Sequence, residues 1–180
     1  MTKLSVLVAM SAAALAASTA SADDKISAKL IGFQEVPVVS TGATATFEAV
    51  ISPNGDAIDY ELTFSGLQAP IQQSHIHVGQ RSVNGGIMIW LCGTGTTQPL
   101  AGPPGTQTCP QSGTIRGTIS AANVTPAATA TAQQIAAGEL NEVIAAIRAG
   151  VAYVNIHTAV SPGGEIRGQL RASRREGDRD

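Results

Sequence analysis

The chain has 180 residues, 11 basic and 13 acidic side chains, and a formal charge of −2. That length suits one domain with a real core. With only 13% charged residues it is not a charge-driven disordered chain, and the near-neutral balance gives no electrostatic footprint for nucleic acid.

In chain order, residues 1–22 read as a secretory signal peptide. Lys3 supplies the positive charge, Leu4 to Ala17 the apolar run, and Ala20-Ser21-Ala22 an A-x-A cleavage site. The run is shorter than the ~20 residues of a membrane span. The expectation is export to the periplasm or medium, with no transmembrane anchor in the mature chain. The domain then covers residues 23–172, and the charged run 173–180 is expected to be a disordered tail.

Thr44–Ala49 and Ile58–Phe64 alternate apolar with polar, the period of a strand with one buried face. Asn54-Gly55 between them is a hairpin signal, and Phe47, Ile51, Ile58, Tyr60, Leu62 and Phe64 are core candidates. Six further strands are expected at 26–33, 71–78, 86–91, 113–120, 151–158 and 165–171, about eight in all. The 19 Gly and 9 Pro also favour short strands and tight turns over a helical bundle. One inserted helix is expected between Thr131 and Gly150. Thr131 and Gln134 suit a capping box, Ile135, Val143, Ile144 and Ile147 form its apolar stripe, and Gly138 is a place where it could split. The fold class is all-β, an antiparallel β-sandwich or Greek-key barrel with one inserted helix.

Cys92 and Cys109 are the only two cysteines. In an exported chain an even pair reads as a disulfide, which here would close a loop worth about 3 kcal/mol. The spacing gives no C-x-x-C support for metal thiolates.

All three histidines fall in strand candidates. His75 and His77, at i and i+2, project from one face about 6.5–7 Å apart along the strand. In Ala152–His157, Tyr153, Asn155 and His157 share a face; in Glu165–Leu170, Glu165, Arg167 and Gln169 do. If these strands are neighbours, one sheet face gathers His75, His77 and His157, with Tyr153, Asn155, Glu165 and Arg167 as polar support. Three converging imidazoles suit copper or zinc. The alternative is that the histidines hydrogen-bond turn residues and hold the Gly-rich loops, with His157 bracing the turn 158–164. Arg116 and Arg167 sit in matching G-x-I-R-G settings, where the guanidinium could pair with Glu165 or a loop carboxylate, and Glu35 could be a partner for one of them. There is no G-x-S-x-G elbow, H-E-x-x-H helix, Walker loop or Rossmann fingerprint, and no catalytic residue is assigned.

The segments Leu30–Pro37 (LIGFQEVP), His75–Gly79 (HIHVG) followed by Asn84-Gly85-Gly86, and Tyr153–Thr158 (YVNIHT) with Pro162–Leu170 (PGGEIRGQL) resemble the CHRD domain, named from chordin. The likeness runs over about residues 26–171. It implies an immunoglobulin-like β-barrel or sandwich and little about activity; the first reading is a non-catalytic binding module for an extracellular or periplasmic ligand of unknown identity. A second, weaker likeness is to Cu/Zn superoxide dismutase, which implies a copper site mapped onto His75, His77, His157 and Arg167. The chain departs from that pattern, having no fourth histidine to bridge two metals and no His/Asp cluster for zinc between Cys92 and Cys109. A structural envelope or matrix protein without a metal is the third reading.

Overall fold

The alternating segments form the strands expected of them. In the computed structural model, residues 24–95, 100–111 and 113–173 are described. The expected leader, residues 1–22, and residues 174–180 of the expected tail lie outside them.

β1 (Asp24–Ile31), β2 (Thr44–Ile51) and β3 (Ala57–Ser65) form an antiparallel meander, with Phe47 opposite Leu62 and Ala49 opposite Tyr60. Every second residue is buried: Ile26, Ala28 and Leu30, then Ala45, Phe47, Ala49 and Ile51, then Ile58, Tyr60, Leu62 and Phe64. Between β2 and β3, Gly55 takes a φ of +74°, which glycine adopts without a steric penalty.

β4 (Ile71–Val78) and β5 (Gly86–Gly93) form a second hairpin, β6 (Gly113–Ser120) pairs with β3, and β7 (Ala152–Thr158) lies between β4 and β8 (Ile166–Gln169). A short β9 (Arg171–Ala172) joins β1. The order β5-β4-β7-β8-β1-β2-β3-β6 makes one antiparallel, nearly closed barrel-like sheet. Isolated bridges from Ile89 to Val124 and from Gly93 to Thr108 occupy the free edge of β5. Cys92 is bonded to Cys109 beside them, Sγ–Sγ 2.06 Å.

The helix is shorter than the apolar stripe suggests. α1 covers Leu140–Arg148, and a 3-10 segment covers Ala128–Gln133. The division falls at Gly138, whose φ is +86°. The side chain of Thr131, and with it the expected capping box, lies outside the described residues. α1 buries Leu140, Val143, Ile144 and Ile147 in the core. It ends as expected at Gly150: the Gly150 N–H donates to Ile147 O and the Val151 N–H to Ala146 O, the two bonds of a Schellman motif. Ser173, the first residue of the expected tail, donates its N–H to Lys25 O at 2.8 Å.

Phe47 is buried and stacks on Tyr60 at 5.9 Å between ring centroids. Phe47→Ala is expected to cost about 3–5 kcal/mol, read as a lowered urea midpoint with an unchanged m-value.

Candidate metal centre

β4, β7 and β8 are neighbours, so the chain positions that alternate away from the core meet on one face. Ile76 pairs with Val154 towards the core, while His75 lies opposite Asn155, His77 opposite Tyr153, and Gln73 opposite His157. The face is not solvated, as an outer sheet face ordinarily is. His75, His77, Tyr153, Asn155, Arg167 and Gln169 are all buried, because the turns after β4 and β7 and the segment after β1 fold over them.

One nitrogen from each of His75, His77 and His157 lies within 4.8 Å of the others. His75 Nδ1 and His157 Nε2 are 3.2 Å apart. Tetrahedral coordination with Zn–N bonds of ~2.0–2.1 Å places its ligand atoms ~3.3 Å from one another, so this pair already has that spacing. The other separations must close further for an ion to be held by all three rings.

The second nitrogens define the tautomers. His77 Nδ1 faces Gly85 O at 3.1 Å and His157 Nδ1 faces Pro162 O at 2.9 Å. A carbonyl only accepts, so both Nδ1 atoms carry hydrogen and both Nε2 atoms carry a lone pair. This is the state in which imidazole binds metals, and a carbonyl behind the ring is the usual support. His157 Nε2 accepts from His75 Nδ1–H. His77 Nε2 lies 3.1 Å from Asn155 Oδ1, and with Nδ1 already donating, a hydrogen bond there requires the amide turned so that its NH₂ faces the ring. His75 Nε2 is buried with no partner.

The same two contacts brace the turns, so both roles considered for the histidines are satisfied by opposite sides of each ring. Gly85 can sit under His77 only because it has no side chain: a Cβ there would lie 1.8 Å from Val78 O.

Burial lowers all three imidazole pKa values, since charging any ring means bringing a cation out of water. His75 is lowered well below its ordinary value, with His157 and His77 adding to the effect. His77 falls to about 4 by burial, against the opposing bond to Gly85. His157 is lowered by burial, opposed by Pro162.

The expected support residues divide. Tyr153 stacks face to face on His77 (4.6 Å, 2° between planes) and carries the Arg167 guanidinium 3.4 Å from its ring centroid. Asn155 touches His77 directly. Glu165 does not serve the histidines. It stands just before β8, and its carboxylate accepts from Thr41 Oγ1 (2.9 Å), the Gln68 N–H (3.0 Å) and Thr158 Oγ1 (2.7 Å), clamping two loops to the end of β7. Nor does it pair with Arg167, whose Nη2 donates to Gln80 O and Val83 O. Arg116, in the matching sequence setting, is exposed and pairs with Glu61 at 2.7 Å.

One neighbour escaped the sequence reading, and a second, Glu35, was considered only as a partner for an arginine. Trp90 packs edge-on against His75, centroids 4.2 Å apart. Register shifts at Ser74/His75 and Ile76/His77 break the alternation of β5 against β4, so periodicity cannot place Trp90. Glu35 is also buried, beside Gly164, where a Cβ would meet Glu35 Oε1 at 2.3 Å. Gly164 has a φ of +122°, so this position is closed to side chains on both counts. Burial raises Glu35 to about 7, against the pull of the Val36 N–H and Arg167.

These shifts have an acid consequence. Between about pH 6.5 and about 4 the unfolded chain protonates its histidines while folded His77 stays neutral, so stability is present above that window and lost as pH falls through it. Glu35 acts oppositely: folded, it keeps its proton to higher pH, so its contribution declines as pH rises from about 4.5 to about 7. Three imidazoles outweigh one carboxyl. Metal-free protein is expected to lose stability between pH 6.5 and 4, with His77 responsible for about 3 kcal/mol. Urea midpoints measured across that range should fall steeply for the wild type and less steeply for His77→Gln.

The comparisons with known proteins bear on identity. The family model described as CHRD domain matches residues 26–170. No curated protein and no solved structure matches the chain. The matched span takes in the meander, the three histidines, α1 and all but the last of the strands, so the chain belongs to the CHRD domain family.

Proposed function

We propose that this chain is an exported, non-catalytic binding module that holds one copper or zinc ion through His75, His77 and His157. Residues 1–22 serve as its leader, residues 23–172 as the CHRD domain and 173–180 as a charged tail. The observation that carries the metal reading is the three-imidazole cluster within 4.8 Å, with carbonyls behind two of its rings. Coordination would release His77 Nε2 from Asn155 and the proton between His75 and His157. It would supply Lewis acidity and positive charge to a buried face. The disulfide suits an oxidising compartment, and no helix among the described residues is long and apolar enough to cross a membrane.

A metal-free structural role is the second reading. It is favoured by the hydrogen bonds that already occupy both nitrogens of His77 and His157. A copper-dependent dismutase is less well supported, since no carboxylate joins the three rings as a fourth ligand among the described residues.

Protein purified from the periplasm or medium is expected to carry one equivalent of copper or zinc by elemental analysis. After chelation it should rebind the ion, and His77→Ala should weaken that binding by at least about 100-fold. Protein that is metal-free, takes up neither ion, and loses stability in the same variant would establish the structural role instead.

A further inference from the structure

Among the described residues, three of the four exposed large apolar side chains lie together in the fold. Phe33 (65% exposed) and Val38 (66%) line one cavity, and Val83 (48%) belongs to the loop that forms its other wall. The cavity has a volume of about 260 Å³, and Glu35, Val36, Pro37, Arg81 and Arg167 also line it. Its walls are tied together: the Asn84 Nδ2–H donates to Val36 O at 3.0 Å, and the Val39 N–H donates to Gly32 O at 3.0 Å behind Phe33. The space is therefore formed before any ligand arrives.

Its polar groups are unbalanced. Arg167 is buried (1% exposed); its Nη2 donates to Gln80 O and Val83 O, and Nη1 reaches the Asn84 side chain at 3.5 Å. Arg81 is near enough for the two positive charges to repel, which holds Arg167 below its ordinary pKa in addition to burial. Glu35, also buried, is the carboxyl facing them, and its Oε1 has no hydrogen-bond partner. Two guanidinium groups held near one another repel, and a buried acceptor without a donor is costly. An anion would relieve the first and a hydroxyl the second.

We infer that this cavity binds a small 2-hydroxy carboxylic acid with an apolar body. The carboxylate faces Arg81 and Arg167, the hydroxyl donates to Glu35 Oε1, and the apolar body rests on Phe33 and Val38. Guanidinium groups suit carboxylates geometrically as well as electrostatically. The cavity is at the small end of ligand sites, which matches an acid of about ten non-hydrogen atoms. The inference does not depend on the metal reading, because none of these groups is one of the three histidines.

The test uses chelator-treated protein and three probes followed by calorimetry: mandelate, phenylacetate, which lacks the hydroxyl, and mandelamide, which lacks the charge. Mandelate is expected to bind one to one, and phenylacetate and mandelamide each about tenfold more weakly or worse. Arg81→Ala, a change at an exposed position, should weaken mandelate about tenfold without altering the thermal midpoint. Glu35→Leu should abolish the preference of mandelate over phenylacetate. Failure of mandelate to bind, equal binding of mandelate and mandelamide, or indifference to Arg81→Ala would each overturn the site. An unchanged mandelate preference in Glu35→Leu would overturn the role given to Glu35. Loss of the metal in a separate experiment would leave all of these outcomes unaffected.

Discussion

The constraint that shapes this molecule is that β4, β7 and β8 are buried on both faces. A sheet face turned away from the core is normally wetted, and its polar groups are satisfied by water. Here loops lie over it, so each polar side chain needs a partner inside the protein. The consequences run through the structure. Glycine-rich turns must come close enough for their carbonyls to accept from His77 and His157, and the Arg167 guanidinium must spread over Tyr153 and the carbonyls of Gln80 and Val83. Gln169 likewise donates to Gly79 O and Gly150 O, joining the loop after β4 to the end of α1. The site and the loop architecture are two aspects of one polar network.

The fold and the candidate site were legible to different degrees. Period-two alternation located β2 and β3 and their core residues correctly, because one face of each is wetted and the pattern is clean. Strand pairing across the sheet is a long-range matter, yet His75, His77 and His157 do converge, since identical alternation in neighbouring strands leaves no other common face. Glu165 was misjudged because its position just outside β8 frees its side chain from the strand's alternation and commits it to Thr41, Gln68 and Thr158. Trp90 was hidden by bulges, which shift register without leaving a compositional mark. The apolar stripe continues through Ile135, but the helix is confined to Leu140–Arg148 because the backbone breaks at Gly138, the split its glycine allows. The matching G-x-I-R-G segments show the limit of local likeness: Arg116 lies in solvent with Glu61, Arg167 within the domain.

The polar network also suggests why the domain tolerates a cluster of weakly basic groups in a dry place. Neutral imidazoles bury at modest cost when each has a carbonyl or another ring to meet, whereas charged ones would not. Among the three rings the exception is His75 Nε2, an acceptor left without a donor. Native structures leave few such atoms, and those they do leave are often where a protein does something other than stand still.

The pairing of β1 with β9 has a consequence of its own. Lys25 and Ser173 are 148 positions apart in the chain, yet they share hydrogen bonds where the chain after β9 lies against β1. During synthesis the opening strand must wait for the closing one, so the barrel forms late and all at once, as expected of topologies rich in distant pairings. The same adjacency brings the two ends of the domain out at one place. A unit built this way can be spliced into a loop of a larger protein, or strung in tandem, without any of its strands being pulled apart.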